Sequence, residues 1–128
     1  MDVGIGEKEM IEVALRKYLA DNLTGTTVVM EVPKNPPKEY VLLRLVDSGK
    51  TNQIDAATFF ATVVSNNLYN AALLKEKVKD LLFDAISLDY ISKSTLGGES
   101  ASTDSANHVY QYNITFNFYY YREEIQNG

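Results

Sequence analysis

The sequence predicts an α+β fold: a two-layer domain in which a mostly antiparallel sheet of about five strands carries two helices on one face, in the order α-β-β-β-α-β-β. Three features lead there. Two segments place apolar residues at helical spacing, the stretch before the C-terminus alternates between apolar and polar, and the β-rich runs between them are joined mostly by short connections built from turn formers. The 128 residues are about one domain's worth, and no internal repeat or linker divides them.

The first helix is predicted from about Glu7 to Asn22. Ile11, Ala14, Leu15, Tyr18 and Leu19 recur at i, i+3, i+4, i+7 and i+8, while Glu7, Lys8, Glu12, Arg16 and Lys17 fall elsewhere. It stops between Asn22 and Gly25, residue types that adopt the left-handed conformation at helix ends. Thr26 to Val32 is rich in β-branched side chains and reads as the first strand. All three prolines fall in Pro33-Lys34-Asn35-Pro36-Pro37, where fixed φ angles and missing donors demand an extended connection.

Tyr40 to Val46 resumes as a second strand, and the polar turn formers from Asp47 to Gln53 are expected to make a flexible loop reaching Asp55. Ala56 to Val64 carries no charge and is apolar at both odd and even positions, as a strand covered on both sides would be. Asn66 or Asn67 then caps a second helix running to about Ile86, with Ala71, Leu74, Val78, Leu81, Leu82 and Ala85 as its apolar stripe. Leu88 to Lys93 is a short alternating strand, and the small and polar residues from Leu96 to Asn107 are expected to form a second long loop. The last strand, His108 to Tyr120, turns an aromatic face to the helices and a polar face away; Arg122 to Glu124 ends it, and 126–128 is expected to fray.

Composition excludes several classes of function. There is no cysteine, hence no disulfide framework, thiolate metal site or cysteine nucleophile. Twelve basic against seventeen acidic side chains leave a net charge of −5, the wrong sign for a surface that grips phosphates. No apolar run approaches the ~20 residues needed to cross a bilayer, and the first residues do not resemble a signal peptide, so a soluble protein made in the cytosol is expected.

No constellation of reactive groups stands out. His108 follows Ser102, Asp104 and Ser105 closely in sequence, but a nucleophile, base and orienting acid must converge on a rigid frame, and these share one polar segment. Gly4-Ile5-Gly6 lacks the strand and third glycine of a dinucleotide fingerprint, and Gly97-Gly98-Glu99-Ser100 lacks the Lys-Ser/Thr ending of a phosphate loop. Asp47 and Asp55 are spaced like a calcium loop but have no alternating carboxylates between them, and Lys50 opposes a cation. Tyr110, Tyr112, Phe116 and Phe118 have the spacing of a base-stacking platform without the neighbouring cations, so core packing is the better account. No catalytic residue, cofactor or metal is therefore expected.

What the pattern does suggest is association. A two-layer domain leaves one sheet face bare, and the doubly apolar strand together with Tyr119-Tyr120-Tyr121 supplies apolar groups for it. Phe59, Val63 and Tyr119 are the residues expected at a subunit contact, so Phe59→Asp is expected to weaken association while leaving the helices intact.

In element order the chain resembles the tail terminator proteins of long-tailed bacteriophages. The likeness runs from about Glu7 to Arg122: an N-terminal helix, a strand ending in Val32-Pro33, a proline-containing link, Glu39-Tyr40-Val41-Leu42-Leu43-Arg44 running into Asp47-Ser48-Gly49, a charge-free strand, a long helix and a final aromatic strand. The resemblance implies a hexameric ring that caps the tail tube, ends its polymerisation and joins it to the head-side neck without catalysing a reaction. The implied partners are further copies of the chain, the tail tube protein and a neck or head-completion protein, with DNA passing an acidic lumen unbound and no membrane involved. Asp47, Lys50, Asn52 and Asp55 in the first loop, and Glu99 and Asp104 in the second, are the expected partner contacts. A head-completion or connector protein of the neck is the alternative reading, and a small enzyme or ligand-binding domain is the second.

Overall fold

The structure, a computed structural model, describes residues 10–51 and 54–125. Its elements are α1 (Ile11–Asn22), β1 (Thr27–Val29), β2 (Tyr40–Thr51), β3 (Ile54–Ser65), α2 (Leu68–Asp84), β4 (Ile91–Asp104), β5 (Val109–Tyr120) and a single terminal turn, α3 (Arg122–Ile125). Short 3-10 turns follow α2 at Ala85–Ser87 and β4 at Ser105–Asn107. The strands make one five-stranded sheet in the order β1-β2-β3-β5-β4, antiparallel throughout except for the β1–β2 pair. The predicted fold class and element order hold.

The helices form where apolar stripes and end signals coincide. α1 buries Ile11, Ala14, Leu15 and Leu19, and Gly25 just beyond it takes φ +84°, a conformation in which a side chain would be strained. The Asn67 side chain accepts a hydrogen bond from the Asn70 amide at 3.0 Å and so caps α2, which buries Ala71, Leu74, Val78 and Leu82. At its far end α2 has no glycine cap; three side chains satisfy its last carbonyls instead. The Tyr18 hydroxyl donates to Leu81 at 2.6 Å, Ser94 to Leu82 at 2.6 Å and Ser87 to Asp84 at 2.8 Å.

Register places the core. Phe59 lies opposite Leu45 on β2 and Phe116 on β5, Ala61 opposite Leu43 and Ile114, and Val63 opposite Val41 and Tyr112. Cross-strand partners share a face, so the odd positions of β3 and the even positions of β5 form one apolar sheet surface. α1 and α2 pack their stripes on it, leaving Leu15, Leu19, Phe59, Val63, Leu82, Ile114 and Phe116 fully buried. Each contributes about 1.5–3 kcal/mol of hydrophobic stabilisation. Phe59 meets Phe118 edge to face at 5.9 Å.

Three expectations need correction. Residues 47–51 and 97–104 are not loops: they extend β2 and β4 as ladders against β3 and β5. The described pairing of β2 with β3 thus runs to Thr51 and Ile54, and the second connection shrinks to Ser105–His108. Strand partners that are themselves strongly β-forming carry these Ser-, Gly- and Asp-rich segments along. The first strand is shorter than expected, three residues in place of Thr26 to Val32, because the chain bends away before its prolines. The predicted start of the first helix at Glu7 and the frayed 126–128 lie outside the described residues.

Candidate interaction surface

The sheet face opposite the helices is built from the other half of each strand. Thr58, Phe60, Thr62 and Val64 of β3 stand between Arg44 and Leu42 of β2 and Asn117, Thr115, Asn113 and Gln111 of β5. Two threonine–asparagine pairs knit it: Thr58 donates to Asn117 Oδ1 at 2.7 Å and Thr62 to Asn113 Oδ1 at 2.9 Å. Gly97 on β4 fits closely here, since a Cβ would lie 2.9 Å from Asn117 Nδ2 and 3.2 Å from Thr115 Cγ2. Leu42, Thr62 and Val64 are shielded by their neighbours and lie outside the main core cluster.

At the end of this face nearest the β2–β3 turn lies an open groove of about 300 Å³. Asp47, Lys50, Thr58, Lys93, Asn117 and Tyr119 help to line it. The Lys93 ammonium sits 5.5 Å from the centre of the Tyr119 ring, a cation–π contact. Asp47 Oδ1 accepts from the Ser48 amide at 3.0 Å.

The structure separates the residues predicted to act together. Phe59 and Val63, assigned to a subunit contact, are fully buried in the chain's own core under the helices. The strand is apolar on both faces as read, but the pleat turns its odd positions inward, and a one-residue error of parity exchanges the faces. A charge at Phe59 is therefore expected to unfold the chain rather than loosen an assembly. Tyr119 alone of the three remains exposed, and it shares the groove with Asp47 and Lys50.

The other predicted contacts go elsewhere. Asp55 faces the helix side, almost buried, and accepts from Arg122 at 3.0 Å. Glu99 projects toward α2, where it meets Lys79 at 2.6 Å and Lys75 at 3.1 Å. Hydrogen bonds from Lys79 and then Lys75 hold its carboxyl below the usual range. Lys75, shared with Glu76 and set 4.7 Å from the Tyr112 ring centre, is held above its ordinary value, the Glu76 hydrogen bond first among the causes. Asp104 caps the β4–β5 turn by accepting from the Asn107 backbone at 3.3 Å and from its side chain at 2.7 Å. Asn52 lies outside the described residues.

Nine of the exposed apolar residues missed by the sequence reading fall in three places. Val46 stands in a β-bulge on β2, and Met30 and Val32 lie just past the end of β1. Phe83 near the end of α2 rests edge-on against Phe116 at 4.9 Å, Leu96 of β4 pairs with that same Phe116, and Ile86 stands exposed in the 3-10 turn after α2. Leu68, Tyr69 and Leu73 occupy the outer side of α2's first turns. The available signal was phase: Tyr69, Leu73 and Phe83 lie off the stripe that packs on the sheet.

Among the described residues no group of three or more His, Asp or Glu comes together as a metal site, and no helix is long and apolar enough to cross a membrane. No protein-family model and no curated protein matches the sequence. A chain from a solved structure titled as the virion of a native gene transfer agent (GTA) particle shares the fold, with a TM-score of 0.64 and 20% sequence identity over 86% of this chain and 93% of that one.

Proposed function

We propose that this chain is a structural protein of a phage-like virion, and specifically a tail terminator: a ring subunit that caps the tail tube, ends its polymerisation and joins it to the neck. The observation that carries the reading is the fold likeness to a chain of a gene transfer agent virion, which covers nearly the whole of both chains. The element order that resembles tail terminators points the same way.

The physical chemistry is consistent with that role. The exposed groups are small apolar patches and polar strand faces, suited to contacts between proteins. A net charge of −5 lets DNA pass a ring of such subunits without being held, because like charges repel at close range. The Asp47–Lys50–Tyr119 groove is the surface proposed to meet the tube or neck protein.

The experiment is to label the chain in images of tailed particles and of headless tails, and to mix the purified chain with polymerising tube protein. A label at the head-proximal tip of both, and tubes that cease to grow, support the terminator role. A label on portal-bearing heads that lack tails supports the connector reading instead. No label on any particle overturns the virion role.

A further inference from the structure

We propose that the groove on the open sheet face receives an acidic side chain carried on an extended segment of a partner protein, its carboxylate meeting Lys93 beside the Tyr119 ring. The inference rests on the virion reading above and names the chemistry by which the tube or neck protein is held there.

The groove exists because of side-chain size. Cross-strand register sets Gly49, Ala56, Tyr119 and Lys93 in one row on the face away from the helices. Gly49 and Ala56 put at most a methyl group into that row, which leaves a hollow beside the exposed Tyr119 ring. A Cβ built on Gly49 meets nothing within 4 Å, so the space above it is open. Thr58 and Asn117 of the next row, bonded to each other, bound the hollow.

Its charge runs against that of the whole chain. Lys50 and Lys93 line the groove with Asp47 as the one acid, in a protein of net charge −5. Asp47 already accepts from the Ser48 amide. The Lys93 ammonium lies 5.5 Å from the Tyr119 ring centre and has no carboxylate partner among the described residues. A ring face holds the cation without using up its three N–H donors.

The opposite face of β5 shows what completes such a pair. Lys75 lies 4.7 Å from the Tyr112 ring centre, and there the chain supplies its own carboxylates, Glu76 at 3.0 Å and Glu99 at 3.1 Å. Lys93 and Tyr119 repeat the lysine and the ring without the acid, so the matching acid comes from outside the chain. A free small acid needs a pocket that encloses most of its surface. This groove lies open on a sheet, where a residue borne on a longer segment is held by its neighbours' contacts as well.

The probe is a capped peptide of alternating alanine and glutamate, titrated into the full isotope-labelled chain and followed by NMR shifts. Shifts confined to Gly49, Thr58, Lys93, Asn117 and Tyr119 are expected, and none with glutamine in place of glutamate. Lys93→Gln is expected to weaken binding about fivefold, the upper worth of one exposed ion pair, and Lys93→Arg to restore it. Gly49→Leu fills the hollow without touching the core and is expected to abolish binding, with unchanged circular dichroism. Shifts spread over the whole surface, or undiminished binding by Lys93→Gln, overturn the proposal. So does tighter binding of oligothymidylate at the same residues, which assigns the groove to phosphate, or concentration-dependent shifts there without peptide, which assign it to a second copy. The tube-growth assay separates the groove from the role: arrest of growth that Gly49→Leu and Lys93→Gln both retain overturns the groove contact and leaves the terminator reading standing. Peptide binding by a wild type that arrests no tubes supports the acidic-segment site and overturns the terminator reading alone.

Discussion

Replacing Phe59 and Phe60 in turn by alanine tests the face assignment on which the surface reasoning depends. Phe59 is fully buried between Leu45 and Phe116 and meets Phe118 edge to face. Removing a ring from such a site costs about 3–5 kcal/mol, the lost transfer energy plus the cavity left behind. Phe60 is half-buried on the opposite face, where only part of its ring leaves water on folding, so its loss costs about 1–2 kcal/mol. With a urea dependence of about 2 kcal/mol per molar, Phe59→Ala lowers the unfolding midpoint by roughly 2 M and Phe60→Ala by less than 1 M. Both are measured at one protein concentration, since association also raises apparent stability. Equal midpoints, or a larger loss at Phe60, would show that the pleat has been read the wrong way round.

Three further outcomes follow from named contacts. Asn67→Ala removes the cap of α2 and is expected to cost about 1 kcal/mol, lowering the thermal midpoint by about 4 °C. Gly97→Ala pushes the Asn117 amide out of its place and loosens its bond to Thr58, a loss of about 1 kcal/mol in chemical denaturation that Ser102→Ala on the same strand does not share. Glu99→Gln removes a carboxylate whose folded pKa lies below its ordinary 4.5. The stability it contributes is present above that ordinary value and is lost as pH falls through the depressed one. Wild type and variant should thus differ at neutral pH and converge in acid; a constant gap would refute the ion-pair account.

The helices and β5 were legible because their signals are local. The stripe from Ala71 to Leu82 and the alternation from Tyr110 to Tyr120 each specify a face without reference to the rest of the chain. The long strands β2 and β4 were legible only in part. Asp47 to Thr51 and Gly97 to Asp104 are weak strand formers, and they are strands because β3 and β5 run on beside them. That pairing depends on register between distant segments, which no local pattern records. The same gap explains the error at Phe59 and Val63: a strand apolar on both faces gives no hint of which face is inward. The groove was half visible, with Asp47, Lys50 and Tyr119 all singled out but placed in different parts of the molecule. Val46 passed unnoticed at the end of a predicted strand, and Leu96 as the first residue of a predicted loop.

The end of α2 is where three parts of the chain are fastened together, since Tyr18, Ser87 and Ser94 each bind one of its last carbonyls. Only the Tyr18 tie has a proton that alkali can remove. Burial, and then the nearby Asp84, push that phenol above its ordinary 10.0, so the folded chain holds the proton more tightly than the unfolded chain does. Stability is undiminished below that ordinary value and declines as pH climbs toward the folded one. Strong base should therefore weaken the tie between the N-terminal helix and the end of α2, a loss that the serine ties do not share.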